Sequence, residues 1–204
     1  SVDSLSSTGD TLYLSNGQTF VSGGNSGGTG NFTHFIGEEF GGGIIFHLWK
    51  DAQGLEHGLI VSLEDQSISQ AWSDVTTGVG STAQSSWDGL SNSNAIVGQL
   101  GHTNSAAQLC LDFQGGGYND WYLPAIDEIA ILWNNRYQIN RSLSLINNAS
   151  QIPVNSWYWS SSEETDDPDE AMLIGWQGSN DWNTQGVSWD LKNYPYRVRA
   201  IRSF

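Results

Sequence analysis

The sequence predicts an α+β fold with small antiparallel sheets, two helices and long ordered loops. Three observations carry that reading. Short β-prone runs open and close the main part of the chain. Two patterns with helical spacing lie between them. Turn formers are abundant, with 24 glycines, so many short elements are expected rather than a few long ones.

Residues 1–36 read apart from the rest. Thr11–Leu14 and Gln18–Val21 flank Asn16-Gly17, the strongest short hairpin signal. The glycine- and serine-rich run 22–30 has the composition of a flexible linker. This segment is expected to be the end of a stalk or upstream domain. Residues 37–204 form the main domain, and about 165 residues can bury a sufficient core without staples. No signal peptide and no apolar run of 18 residues is present, so no membrane insertion is expected.

In the main domain, residues 43–49 and 58–63 are strand candidates joined by a turn at 50–54, and so form a hairpin. Residues 66–92 read as a long loop pinned by Trp72 and Trp87. A helical pattern runs over 92–113, interrupted near Gly101-His102-Thr103. A second occupies 125–135, with Pro124 at its start and Asp127-Glu128 in its first turn, and a shorter helical piece lies in 140–149. Strands are expected at 157–162, 171–176 and 197–202, separated by two polar, tryptophan-bearing loops. Trp121, Trp157 and Trp159 are assigned to the core, and Cys110, in an apolar run, is expected to be a buried, inert thiol.

Charge narrows the function. The chain carries 22 acidic and seven basic residues, a net charge of −15. Such a surface repels phosphate backbones, so nucleic acid is not an expected partner. His34, His47, His57 and His102 lie far apart and form no metal-binding pair. There is no nucleophile elbow and no phosphate loop. The chain is expected not to be an enzyme and to need no cofactor. The run Glu163–Glu170 packs six carboxylates into eight residues. Oxygen-rich loops bind Ca²⁺, but this spacing is not that of an EF-hand, and a solvated acidic loop is the preferred reading. Arg197, Arg199 and Arg202 are expected to pair internally, with Glu163 or Asp127 as partners.

Three motifs carry a resemblance. Residues 117–124 (GYNDWYLP) followed by Asp127-Glu128, residues 158–163 (YWSSSE) and residues 198–204 (VRAIRSF) occur in this order. Residues 41–46 and 56–61 add two opening strands. Residues 37–204 thereby resemble the family typified by the C-terminal domain of the Legionella collagen-like protein. That family is similar to the formylglycine-generating-enzyme type of C-type-lectin-like fold. The enzymes of that fold use paired cysteines, whereas this chain has one. The same architecture is similar to the variable proteins of diversity-generating retroelements, whose hypervariable segment lies near the C-terminus. The resemblance implies a surface-exposed display domain, at a cell surface or virion tip, that binds a protein or glycan ligand on another cell and can form oligomers. The implied recognition residues are Asp166, Asp169, Met172, Ile174, Trp176, Gln177, Ser179, Asp181, Trp182, Thr184, Gln185, Trp189, Asp190, Tyr194 and Tyr196. Trp176, Trp182 and Trp189 stand among small polar residues, the composition of antibody-type binding loops. The alternative is an adhesin domain with a fixed glycan site.

Overall fold

The last nine residues divide between two sheets, and this division organises the domain. The computed structural model describes the backbone of residues 6–8, 11–13, 19–21, 32–178 and 183–204, and the side chains of 32–175 and 186–204. Strands β1 (Ser6–Thr8), β2 (Thr11–Tyr13) and β3 (Thr19–Val21) form an antiparallel sheet of their own. The register pairs Thr11 with Val21 and Tyr13 with Thr19, as expected for a hairpin. The Asn16-Gly17 turn and the linker at 22–30 lie outside the described residues.

Among the described residues, two further sheets lie within 39–203. Strands β4 (Glu39–Phe40), β5 (Gly43–Lys50), β6 (Glu56–Ser62) and β12 (Ile201–Ser203) build one, in the order β12-β6-β5-β4. The other runs β10-β9-β8-β11-β7, from β7 (Ser67–Gln70), β8 (Trp157–Glu163), β9 (Glu170–Gly178), β10 (Asn183–Leu191) and β11 (Tyr196–Val198). Its β11–β8 pair is parallel, so this sheet is mixed. The single terminal strand expected at 197–202 is therefore two strands, with Arg199-Ala200 turning the corner between sheets. The expected loop at 177–196 contains β10, which pairs antiparallel with β9 from Asn183↔Gly178 to Leu191↔Glu170. Its polar, glycine-containing sequence hid a strand whose ladder depends on β9.

Among the described residues, three α-helices replace the expected two. Helix α1 (Gly89–Val97) is capped by Asp88, which accepts the Ser91 N–H at 2.9 Å. Helix α2 (Ala106–Leu111) is capped by Ser105, which accepts the Gln108 N–H at 2.9 Å. Gly101, at φ 87°, lies in the break between them. Helix α3 (Ile126–Leu143) runs 18 residues and absorbs much of the piece expected at 140–149. Ile126, Ile129, Leu132, Trp133, Ile139 and Leu143 form its buried face, and Asp127 and Glu128 suit the positive end of its dipole.

Two apolar clusters fill the domain. Ile44, Phe46, Leu59, Val61, Tyr158, Ile174 and the α3 stripe form one, and Ile45, Ile60, Trp72, Trp121, Trp159, Leu173 and Cys110 belong to the other. Trp121 and Trp159 are buried as expected, and half-buried Trp157 packs on the second cluster. Burial pushes the Cys110 thiol well above its usual range, which keeps it protonated. Within 66–92, Trp72 is buried and donates to the Ser160 carbonyl at 2.7 Å. Trp87 is half exposed and does not pin that segment to the core.

The two triple-glycine runs meet at Gly42 and at Gly115 and Gly116. Gly116 (φ 63°) and Gly42 (φ 86°) bring their backbones together, and a β-carbon on Gly116 would lie 2.1 Å from the Gly42 Cα. Only glycine fits this crossing.

Candidate functional site

The serines of β8 show how the frame is made. Ser160, Ser161 and Ser162 are buried among aromatic residues, where an unpaired hydroxyl is costly. Ser160 donates to the Met172 carbonyl at 2.8 Å. Ser162 donates to the Ser85 carbonyl at 2.8 Å and accepts the Ile126 N–H at 3.0 Å, at the start of α3. Ser160 and Ser162 thus bond backbone groups, while the Ser161 hydroxyl accepts the Asn92 side-chain amide at 3.3 Å.

Buried charges fix the ends of the C-terminal segment. Lys192, fully buried, donates to Glu163 at 2.5 Å and to the Pro168 carbonyl at 2.5 Å, with its ammonium 4.8 Å from the centre of the Trp72 ring. Glu163 also accepts the backbone N–H groups of Val79 and Gly80 at 2.6 and 2.7 Å. Asp65 accepts Arg197 at 2.7 Å, Arg199 at 2.9 Å and the Tyr158 hydroxyl at 3.1 Å. Arg202 makes a two-pronged pair with Asp120 at 2.6 and 2.7 Å, and its guanidinium lies 3.9 Å from the Tyr118 ring centre. The arginines pair internally, as expected, but with Asp65 and Asp120. The expected partners Glu163 and Asp127 were wrong because the corner at Arg199-Ala200 turns the tail toward β6. Contact with Arg202 holds the Asp120 carboxyl below its usual range.

The fifteen proposed recognition residues separate in the structure. Trp189 and Tyr194 are exposed, and exposed Val187 stands two residues before Trp189 on β10. Asp166 and Asp169 are exposed in the turn between β8 and β9. Ile174, by contrast, is buried in the first cluster, and half-buried Met172 packs against it. Strand β9 is covered on both faces, because Leu173 enters the second cluster. Asp190 and Tyr196 belong to the frame: Tyr196 donates to Asp190 at 2.5 Å and sets its ring edge-on to Trp159 at 5.0 Å. Trp176, Gln177, Thr184 and Gln185 lie on the paired strands, with Trp176 opposite Gln185 and Gln177 opposite Thr184. Their side chains, and Ser179, Asp181 and Trp182 altogether, lie outside the described residues.

The acidic run is divided. Glu163 is buried in the clamp, whereas Glu164 accepts the N–H of Thr165 at 2.9 Å. A hydrogen bond between Asp167 and Asp169 raises the pKa of the first carboxyl and lowers that of the second. Among the described residues, no group of three acidic, histidine or cysteine side chains is arranged to hold a metal ion.

A second feature was missed in the sequence. His47, Trp49, Leu59, Trp87, Asp88, Leu90, Tyr122, Glu128 and Ser203 line an open cavity of about 510 Å³. His47 and Trp49, two apart on β5, share a face and stack at 5.3 Å. His57, opposite Trp49 on β6, also stacks with it at 5.6 Å, and Trp87 lies 6.4 Å from His47. Glu128 is buried and accepts from the Tyr122 hydroxyl at 2.9 Å and from the N–H groups of Ala125 and Gly89 at 2.8 and 3.2 Å. Burial outweighs those three donors and pushes its pKa up to about 7. Partial burial lowers the pKa of His47, which is therefore neutral at pH 7. The signal was present as His47-x-Trp49 on a strand, but its partners come from four other segments.

No protein-family model and no curated protein matches the chain. A solved structure shares its fold: a fimbrial protein from Bacteroides ovatus ATCC 8483, with TM-score 0.57 and 15% identity, over 94% of this chain and 48% of that one. This chain spans about half the length of the fimbrial chain. Among the described residues, no helix is long and apolar enough to cross a membrane.

Proposed function

We propose that this chain is a surface-displayed binding module whose recognition face is the exposed side of β10 and the segment that follows it. One observation carries the reading. Strand β10 exposes Val187 and Trp189, and exposed Tyr194 follows, while buried Lys192, between them, is clamped to Glu163. Exposed rings on a fixed backbone suit recognition, because they supply contact area at low entropic cost. The shared fold with a fimbrial protein supports display at a surface. The net charge of −15 favours a protein or neutral glycan partner over a polyanion.

The finer form of the proposal is a variable protein of a diversity-generating retroelement, with frame positions constant and exposed ones diversified. It is tested in the DNA around the gene. A near-copy of the codons for residues 157–204 beside a reverse-transcriptase gene, with mismatches at template adenines, is the expected result. The mismatches should fall on Trp189 and Tyr194 and spare Glu163, Lys192 and Arg199. Absence of such a copy rejects the variable form. Protein and glycan arrays probed with the whole chain and with Trp189→Ala then test the face itself. Unchanged binding by the variant would overturn the assignment.

A further inference from the structure

The cavity beside β5 lies outside the proposed recognition face and shares no residue with it. We propose that it is a second binding site, for a small organic ammonium ion. Its volume, about 510 Å³, falls in the range of small-molecule sites.

The chemistry of the lining selects the ligand. Four π systems (His47, Trp49, Trp87 and Tyr122) and the Asp88 carboxylate face one space, together with Glu128, which gains its charge only as the pH rises through about 7, and among the described residues neither lysine nor arginine lines it. Indole faces attract cations, and ring plus carboxylate attracts them more. An anion is repelled by the same groups. A sugar needs convergent donors as well as acceptors, yet the Tyr122 hydroxyl is already given to Glu128 and Ser203 is the other hydroxyl in the lining.

The site is also built before any ligand arrives. Trp49 is 37% exposed but stacks with both His47 and His57, and His57 is held by Asp51 at 3.2 Å. Trp87 is 52% exposed, and its backbone N–H donates to the Ser85 hydroxyl at 3.2 Å. Asp88 is fixed as the cap of α1, and Glu128 by its three donors. Two ordered, water-exposed indoles beside fixed negative charge form an aromatic cage open on one side. Preorganisation of this kind removes the ordering cost of binding. Leu59 and Leu90 supply apolar wall for the alkyl groups of the ion.

Calorimetric titration of the whole chain at constant ionic strength tests this, with choline as probe and 3,3-dimethylbutan-1-ol as its neutral isostere. Choline should bind saturably and the isostere at least about tenfold more weakly. Trp49→Leu and Trp87→Leu should each weaken choline by about fivefold or more, with unchanged melting temperature. Asp88→Asn keeps a capping side chain and removes the charge, so weaker choline binding in this variant reports the electrostatic part even if a tryptophan variant is unstable. Equal affinity for probe and isostere, no saturable binding, or unchanged affinity in Asp88→Asn and both tryptophan variants would overturn the proposal. Trp189→Ala should leave choline binding intact, which separates this site from the recognition face.

Discussion

Trp189 and Lys192 are three residues apart, and they live in opposite environments. Trp189 presents its ring to water at the edge of the five-stranded sheet, while Lys192 is fully buried with a carboxylate, a carbonyl and an indole around its ammonium. The tail repeats the contrast, with Tyr194 exposed and Arg199 buried on Asp65 and Ser150. In the C-terminal segment these two rings face solvent, while Lys192 and Arg199 hold the interior. A surface meant for contact can change its side chains freely if backbone placement is assigned to residues that never reach the surface.

The comparison breaks most visibly at its buried end. Removing one partner of a buried ion pair leaves an uncompensated charge, so Lys192→Ala should lose about 3–5 kcal/mol of stability, and Arg199→Ala less, because Arg197 still pairs with Asp65. Denaturant unfolding measures this, and a loss below about 1 kcal/mol would mean that the frame is not ionic.

Glu128 offers the next largest effect. Its folded pKa, about 7, lies above its ordinary value of 4.5, so the folded state binds the extra proton between these values. The stabilising contribution is complete below pH 4.5 and is lost as the pH rises through 7. It amounts to about 3 kcal/mol. Melting temperature should fall between pH 5 and 8, and Glu128→Gln should flatten the slope.

Gly116→Ala forces a β-carbon into the Gly42 backbone at positive φ, and should cost about 2 kcal/mol or more by the same unfolding measurement. At the exposed end of the comparison, Trp189→Ala should change stability by less than about 0.5 kcal/mol while removing binding. Smallest of all, EDTA should leave the melting temperature unchanged, because the most buried carboxylate of the acidic run is already neutralised by Lys192.

The sequence by itself determined the strands and helices whose patterns are local. β5, β6, β8 and β9 were legible as apolar or aromatic runs, and α3 announced its start through Pro124, Asp127 and Glu128. The burial of Trp121, Trp159 and Cys110 followed from composition. Exposure of Trp189 was legible from its small polar neighbours. Tertiary structure decided everything that needed a partner from elsewhere. Strand β10 carries a polar sequence and is a strand because β9 lies beside it. Ile174 looked like part of a recognition face until two sheets and α3 closed over it. The arginines declared themselves as a paired set, but Asp65 and Asp120 became their partners only when the corner at Arg199-Ala200 sent the chain from one sheet to the other. The aromatic cavity needed residues from β5, β6, α1, α3 and the C-terminus at once. A periodic pattern reports the face one element buries, whereas an ion pair or a cavity is a property of distances between elements, which no local pattern encodes.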